Sequence, residues 1–306
     1  MRDVKESRES RELVKAAFDL ARSLEISKLL VQADSLRDVR LVERRRHEES
    51  IIWLSKGSVE LPSSKSAHAV IDIPETSSLS RMSQIKIGLF LAVLNGYLGL
   101  EESVLCLSGV AGTERLDTLL IANPKRDFPW FHKHDVEETR KLVASRAFAR
   151  ILDMALRLST EGREGRPIGT IFVVGDAKQI APHLRQLVLN PLEGHPKGRR
   201  NIHDPHFLET VRELAAMDGA FVISKTGTVE SAGTFLAPPT HKVKLRHGLG
   251  ARHAAAANFT ASTDAIAVVI SESSGTITVF HEGNPILELE KPVPRHRRLK
   301  DKTTSS

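Results

Sequence analysis

The sequence predicts an α/β fold in two parts. An N-terminal three-layer βα domain with a largely parallel sheet is expected over residues 1–130, and a C-terminal domain with a mixed central sheet flanked by helices over residues 136–290. Three observations carry this. Before residue 123, short apolar runs alternate with helical stripes, the rhythm of βα units. The stretch Asn123 to Asp135, with two prolines, clustered aromatics and mixed charge, has neither period and reads as a connector. Beyond it, apolar runs are separated by glycine-containing turns, which suits a sheet with antiparallel pairs.

Taken in order, Leu13, Ala17, Leu20 and Leu24 recur at spacings of four, three and four and predict an amphipathic helix. Lys28 to Ala33 reads as a strand, Ser35 as the cap of a helix through Arg37 to Glu48, and Ile51 to Leu54 as a second strand. A short strand Ala69 to Ile73 ends at Pro74, Met82 to Leu98 reads as a helix, and Val104 to Leu107 as a strand ended by Ser108-Gly109. In the second part, Val143, Ala147, Ile151, Met154 and Leu158 share one helical face. Gly162 to Pro167 supplies a turn before the strand Thr170 to Val174, and Leu208 to Ala216 reads as a helix. Ala220 to Ser224, Val229 to Leu236, Ala265 to Ser271 and Thr276 to Phe280 read as strands. The tail 291–306, proline-containing, basic and polar at its end, is expected to be disordered.

Composition narrows the function classes. Hydrophobic residues are 41% and charged residues 27% of the 306, ordinary globular usage that excludes a fibrous repeat. The net charge of +6 sits largely in Lys197 to Arg200 and Arg295 to Lys302, so it describes no continuous nucleic-acid stripe, and nucleic acid is not an expected partner. Cys106 is the only cysteine, which excludes an intramolecular disulfide and a thiolate zinc site and favours a reducing compartment. The longest apolar stretch, Ile87 to Leu100, is interrupted by Asn95 and glycines and is shorter than the roughly 20 residues of a membrane-spanning helix. The charged stretch Met1 to Arg11 has no apolar run of a secretory signal. A cytoplasmic protein without a membrane partner is expected. His195, His203 and His206 lie close in sequence with Asp204, but no pair has helix-borne ligand spacing, and a solvated loop is the simpler reading.

Three stretches of the second part stand out together: Met217-Asp218-Gly219-Ala220, Gly248-Leu249-Gly250-Ala251-Arg252-His253 and Ser271-Glu272-Ser273-Ser274-Gly275. Each alone has a bland reading as a turn, a surface basic pair or a hairpin loop. Their order and flanking strands resemble the diadenylate cyclase (DAC) family, which joins two ATP molecules into cyclic di-AMP. The family's Asp-Gly-Ala is matched by Asp218-Gly219-Ala220, its Leu-Gly-Thr followed by Arg-His-Arg by Leu249-Gly250-Ala251-Arg252-His253-Ala254, and its later Ser-Glu by Ser271 and Glu272. The flanks Gly169 to Val174, Ala232-Gly233-Thr234-Phe235-Leu236 and Ser262-Thr263-Asp264-Ala265 resemble family strands as well. Ala251 stands where Thr is usual and Ala254 where the second Arg is usual, features of the soluble archaeal-type branch.

The resemblance implies a site and a mechanism. The 3′-hydroxyl of one ATP attacks the α-phosphate of the other and pyrophosphate leaves, so catalysis is alignment plus neutralisation of charge. Asp218 is the implied ligand of Mg²⁺ or Mn²⁺, and Arg252 and His253 the implied partners of the triphosphate. Gly219 and Gly250 let backbone N–H groups approach the nucleotide, while Ala220, Ala251, Ser271 and Glu272 border it and Leu236 packs the adenine. One ATP per domain requires two domains face to face, hence a homo-oligomer with ATP as substrate and cyclic di-AMP as product. The alternative is a nucleotide-binding sensor of the same fold that lost turnover with Ala254, and a third is a nucleic-acid binder using the basic tail.

The N-terminal part, especially Ser103 to Val110 through Leu119-Leu120-Ile121, resembles the C-terminal regulatory domain of pyruvate kinase. That domain's phosphate-gripping Thr-Ser-Gly loop has no counterpart, since Gln32-Ala33-Asp34-Ser35 stands in its place, so a scaffold setting oligomeric geometry is expected.

Overall fold

The structure, a computed structural model, describes residues 7–57, 59, 61, 69–73, 79–110, 113–128, 139–140, 143, 146–237 and 250–291. Two sheets organise them. The first has five strands in the order β3-β2-β1-β4-β5, where β1 is Lys28–Gln32, β2 Ser50–Ser55, β3 Ala69–Asp72, β4 Val104–Ser108 and β5 Thr118–Ala122. It is parallel except for the β4–β5 pair. The alternation of side chains sends Leu29 and Val31 toward the helix α1 (Arg8–Ser23) and Leu30 toward α3 (Arg81–Leu94), so the expected three layers are present. At Gly88 the helix lies so close to the sheet that a Cβ would stand 2.5 Å from Leu54 Cδ1.

The second sheet has seven strands in the order β12-β11-β10-β6-β8-β9-β7. Its strands are β6 Thr170–Gly175, β7 Leu184–Gln186, β8 Ala220–Ser224, β9 Val229–Leu236, β10 Ile266–Ile270, β11 Ile277–His281 and β12 Asn284–Leu289. Only β6 and β8 pair in parallel, which makes the sheet mixed. Phe172 and Phe221 sit opposite each other on β6 and β8 with ring centroids 5.2 Å apart, facing the helix α5 (Arg146–Glu161). Ile171, Val173, Ala220 and Val222 face the other way, onto Ala256, Ala257 and Phe259 of the helix α8 (Ala251–Thr260). Phe259 is wholly buried there, and truncation to Ala is expected to cost about 3 to 5 kcal/mol. One apolar cluster runs from the inner face of the first sheet through α3 and α5 to the second.

Several elements differ from expectation for identifiable reasons. The stripe on α1 centres on Val14, Ala17, Phe18 and Ala21, while Leu24 lies past the helix end and is exposed. The helix expected over Arg37 to Glu48 is a single turn, α2 (Arg40–Glu43), preceded by a 3₁₀ turn at Ala33–Ser35. Ser35 is buried and caps nothing; Asp38 Oδ1 instead accepts the Arg40 backbone N–H at 3.0 Å, an Asx turn. Three consecutive arginines, Arg44 to Arg46, follow at once. Helix α3 stops at Leu94, four residues early, because Gly96 at φ +73° closes a Schellman turn with Tyr97 N–H donating to the Ala92 carbonyl at 2.9 Å.

Strands β5, β7 and β12 and helix α8 were not expected. The motif reading of residues 250–254 hid α8, whose alanine-rich sequence has no apolar stripe. Pro285 argues against a central strand, and β12 is indeed an edge, joined to β11 through Glu282 and Gly283, both at positive φ as a tight hairpin requires. At the expected connector, Asn123 caps a one-turn helix, α4 (Pro124–Asp127), by accepting the Arg126 N–H at 3.1 Å. The rest of the connector and the tail from 292 onward lie outside the described residues, as does Leu249. Among the described residues no helix is long and apolar enough to cross a membrane.

Candidate active site

A cavity of about 1110 Å³ opens at the end of the second sheet where the parallel strands β6 and β8 begin. All ten residues singled out in the sequence line it: Asp218, Gly219, Ala220, Leu236, Gly250, Ala251, Arg252, His253, Ser271 and Glu272. They come from four places in the chain, the entry to β8, the end of β9, the start of α8 and the end of β10.

The entry to β8 explains the Asp-Gly pair. Gly219 has φ +108°, and a Cβ there would lie 2.6 Å from the Gly233 carbonyl carbon and 2.7 Å from the Thr234 nitrogen. Only glycine fits this crossing of β8 and β9, which also breaks the regular register between Ala220 and Val222. The tight turn throws the Asp218 side chain outward, where it is 92% exposed.

Helix α8 begins at the cavity. Its N-cap is Gly250, no side chain among the described residues caps it, and its first turn carries no acidic residue, so its first-turn N–H groups and positive dipole end lie at the opening. Arg252 in this first turn is held between two carboxylates, with Nη1 2.9 Å from Glu272 Oε2 and Nη2 3.7 Å from Asp218 Oδ1. One guanidinium thereby joins residues 20 positions after it and 34 before it in the chain.

His253 is placed differently from Arg252. The residue is 6% exposed, with Nε2 3.4 Å from Thr278 Oγ1 of β11 and the ring in an edge contact with Phe280 at 6.0 Å. Burial lowers its pKa below the ordinary imidazole value, and Glu288 opposes the shift more weakly. The group is a neutral imidazole in the wall near pH 7, not a second cation beside Arg252. Ser271 and Glu272 begin a turn closed by Ser271 N–H to the Thr276 carbonyl at 2.9 Å and Gly275 N–H to the Ser271 carbonyl at 2.8 Å. Leu236 is buried against Ile171 and Ala220 at the end of β9, and its neighbour Phe235 stands half exposed at the lip.

Phe235, Leu187, Thr278 and Glu288 also line the cavity without having been singled out. They are spread over elements that only the folded sheet brings together, and Leu187 and Glu288 lie on or beside strands the sequence did not reveal. Ala254 is absent from the lining, which passes from His253 to Ala255, and its N–H continues the helix by donating to the Gly250 carbonyl at 3.1 Å. Asp204 Oδ1 accepts the His206 backbone N–H at 2.9 Å, a turn-forming role.

Among the described residues the lining holds one arginine, with the carboxyl groups of Asp218, Glu272 and Glu288. No group of three or more His, Cys, Asp or Glu placed to hold a metal occurs among the described residues. A single exposed carboxylate such as Asp218 suits a magnesium-like cation, which keeps several waters and is usually shared between one or two carboxylates and phosphate oxygens.

Residues 157–285 match the DAC family, described as DisA bacterial checkpoint controller nucleotide-binding. A diadenylate cyclase of Methanocaldococcus jannaschii is 38% identical over 176 residues, which are 58% of this chain and 56% of that protein. A diadenylate cyclase of Haloferax volcanii is 39% identical over 140 residues, 46% of this chain and 51% of that protein. The chain thus spans just over half the length of these curated relatives. Among solved structures, DacA from Staphylococcus aureus, a double mutant, aligns with 51% of this chain and 91% of its own at 22% identity and a TM-score of 0.34.

Proposed function

Because residues 157–285 match the DAC family, we propose that this chain is a diadenylate cyclase that condenses two ATP into cyclic di-AMP and two pyrophosphates. The observation that carries the proposal is the convergence of Asp218, Arg252 and Glu272 with the open N-terminus of α8 on one cavity. Each half-reaction forms a bond between a 3′-oxygen and an α-phosphorus, breaks the bond from that phosphorus to the β-bridging oxygen, and releases the hydroxyl proton.

The residues divide this work. The first-turn N–H groups of α8 and the Arg252 guanidinium receive the phosphates, which displace the carboxylates that hold Arg252 in the free protein. Gly219 lets the backbone of β8 approach the nucleotide, and Leu236 with Phe235 flanks its base. His253 lends a neutral, polar wall beneath them.

The triphosphate carries several negative charges into a site where Asp218 and Glu272 already flank Arg252, so a divalent cation, Mg²⁺ or Mn²⁺, is the proposed cofactor, with the exposed Asp218 as its protein ligand. When bound, the cation supplies neutralisation of the phosphates and of the departing pyrophosphate. The chain is proposed to divide into residues 1–130 as a scaffold and 136–290 as the catalytic domain, and to act as a homo-oligomer with catalytic domains facing.

Incubation of the purified chain with ATP and Mn²⁺, with the products resolved by chromatography and mass, tests the proposal. Cyclic di-AMP and pyrophosphate in a one-to-two ratio are expected. Bound but unconverted ATP would identify the sensor instead.

A further inference from the structure

We propose that Gly169 is a positioning residue for this reaction, leaving the space in which the Arg252–Glu272 pair lies across the start of β6. The inference rests on the phosphate-binding role proposed for Arg252. Gly169 directly precedes β6 and is buried. A Cβ at this position would stand 2.7 Å from Glu272 Cβ, 2.9 Å from Arg252 Nη1 and 3.0 Å from the Glu272 backbone nitrogen. All three contacts belong to the one ion pair that bridges α8 and the end of β10.

The backbone at Gly169 is outside the left-handed region, unlike Gly219 at φ +108°. Alanine can therefore adopt it without conformational strain, and what the missing side chain provides is room. The Glu272 atoms in the way are a Cβ and a backbone nitrogen, anchored by the turn bonds of Ser271 to Thr276 and Gly275 to Ser271. The Arg252 guanidinium, the far end of a flexible side chain, moves at little cost, whereas Glu272 Cβ at 2.7 Å gives way only if its turn shifts, so both members of the pair are displaced. An alanine at 169 thus displaces the cation from the phosphate position while leaving the apolar floor of the cavity, Leu236 and Ala220, untouched.

The test compares Gly169→Ala, Arg252→Ala and the double variant in the full chain. Three measurements are made: thermal unfolding, turnover of ATP, and equilibrium binding of adenosine and of an ATP analogue with a methylene bridge between the α- and β-phosphates. Gly169→Ala is expected to weaken analogue binding about ten-fold, to leave adenosine binding unchanged and to unfold below the wild-type temperature, because the anchored Glu272 Cβ must also shift. The double variant is expected to bind the analogue no worse than Arg252→Ala alone, since both changes act through one cation. Wild-type analogue binding by Gly169→Ala, loss of adenosine in step with the analogue, or losses that multiply in the double variant would each overturn the inference. Should Gly169→Ala fail to fold, the added change Glu272→Gly removes the nearest obstacle and is expected to restore folding and adenosine binding. A chain still unfolded would mean that Glu272 is not what the new methyl group meets. A wild-type chain that makes no cyclic di-AMP sinks the cyclase reading itself, whereas an active wild type with an indifferent Gly169→Ala sinks only this inference.

Discussion

At the carboxyl ends of β1 and β4, where the strand order of the first sheet reverses, the chain fills its own crevice. The Gln32 carboxamide oxygen accepts the Ser108 hydroxyl at 2.8 Å and the Gly109 N–H at 3.2 Å, and all three residues are buried. Gly109 packs so tightly under the following loop that a Cβ would lie 2.0 Å from the Arg115 carbonyl oxygen. The second sheet does the reverse. Its cavity lies where β6 and β8 begin, bordered by an uncapped helix start and a 92% exposed carboxylate. Open α/β sheets commonly bind ligands at the carboxyl ends of strands beside such a reversal, which would have pointed to the first sheet. The difference lies in enclosure: at the first sheet's end the polar groups are shut away from solvent, Gln32 Oε1 paired while Gln32 Nε2 and Ser35 Oγ find no partner among the described residues, whereas at the second they face an opening.

The largest effect that tests this contrast is expected at Asp218. Asp218→Asn should abolish cyclic di-AMP formation while leaving the thermal unfolding temperature unchanged, because the side chain is exposed and a neutral amide is a poor ligand for a hard cation. Product formed at near wild-type rate by the Asn variant would remove the metal-ligand role. Arg252→Ala should follow, lowering kcat/KM about 10- to 100-fold, the scale of a charge-assisted contact of about 1.5 to 3 kcal/mol. Unchanged kinetics would make the Asp218–Arg252–Glu272 cluster a surface ion-pair network.

In the first sheet the same kind of change should act on stability alone. Gln32→Ala removes the acceptor of two buried hydrogen bonds and is expected to cost about 1 to 3 kcal/mol. Specific activity per folded chain should stay at the wild-type value, measured well below the unfolding transition. Lost activity in a folded Gln32→Ala chain would mean that the two regions are functionally coupled.

The same contrast shows what was legible before folding. That the ten candidate residues share one cavity could be anticipated because a loop-to-strand Asp-Gly, an Arg-His pair and a Ser-Glu turn are local signals, and the family resemblance joined them. Helix α8 could not, since its run of alanines has no apolar period, and burial by Phe259 and Ala256 against the sheet, not intrinsic pattern, sets its face. The helix expected after Ser35 failed for the opposite reason: a serine before a periodic run looked like a cap, but tertiary packing buried it and Asp38 took over the turn. The equal weight given to Arg252 and His253 in the sequence also dissolves in the fold. Adjacent residues at a helix start point about 100° apart, so one reaches the opening and the other the wall.

That divergence leads to the smallest expected effect. The pKa of His253 is lowered mainly by burial, so in acid the unfolded chain takes up this proton before the native chain does. Unfolding free energy then rises with pH wherever the unfolded state binds more protons. The stability associated with a neutral His253 is fully present above the ordinary imidazole pKa of about 6.5 and is lost as pH falls below it, until the native ring is itself protonated. One proton contributes a slope of at most about 1.4 kcal/mol per pH unit. Denaturant unfolding of the wild type and of His253→Gln at matched pH values from 7.5 down to 5 isolates this contribution from other titrating groups, provided the two curves are compared as differences. The Gln variant is expected to show the shallower acid loss, with the two curves parallel above pH 7. Curves that stay parallel through the whole range would mean that the ring is solvated in the native state, and His253 would then return to the opening beside Arg252 as a group able to carry charge.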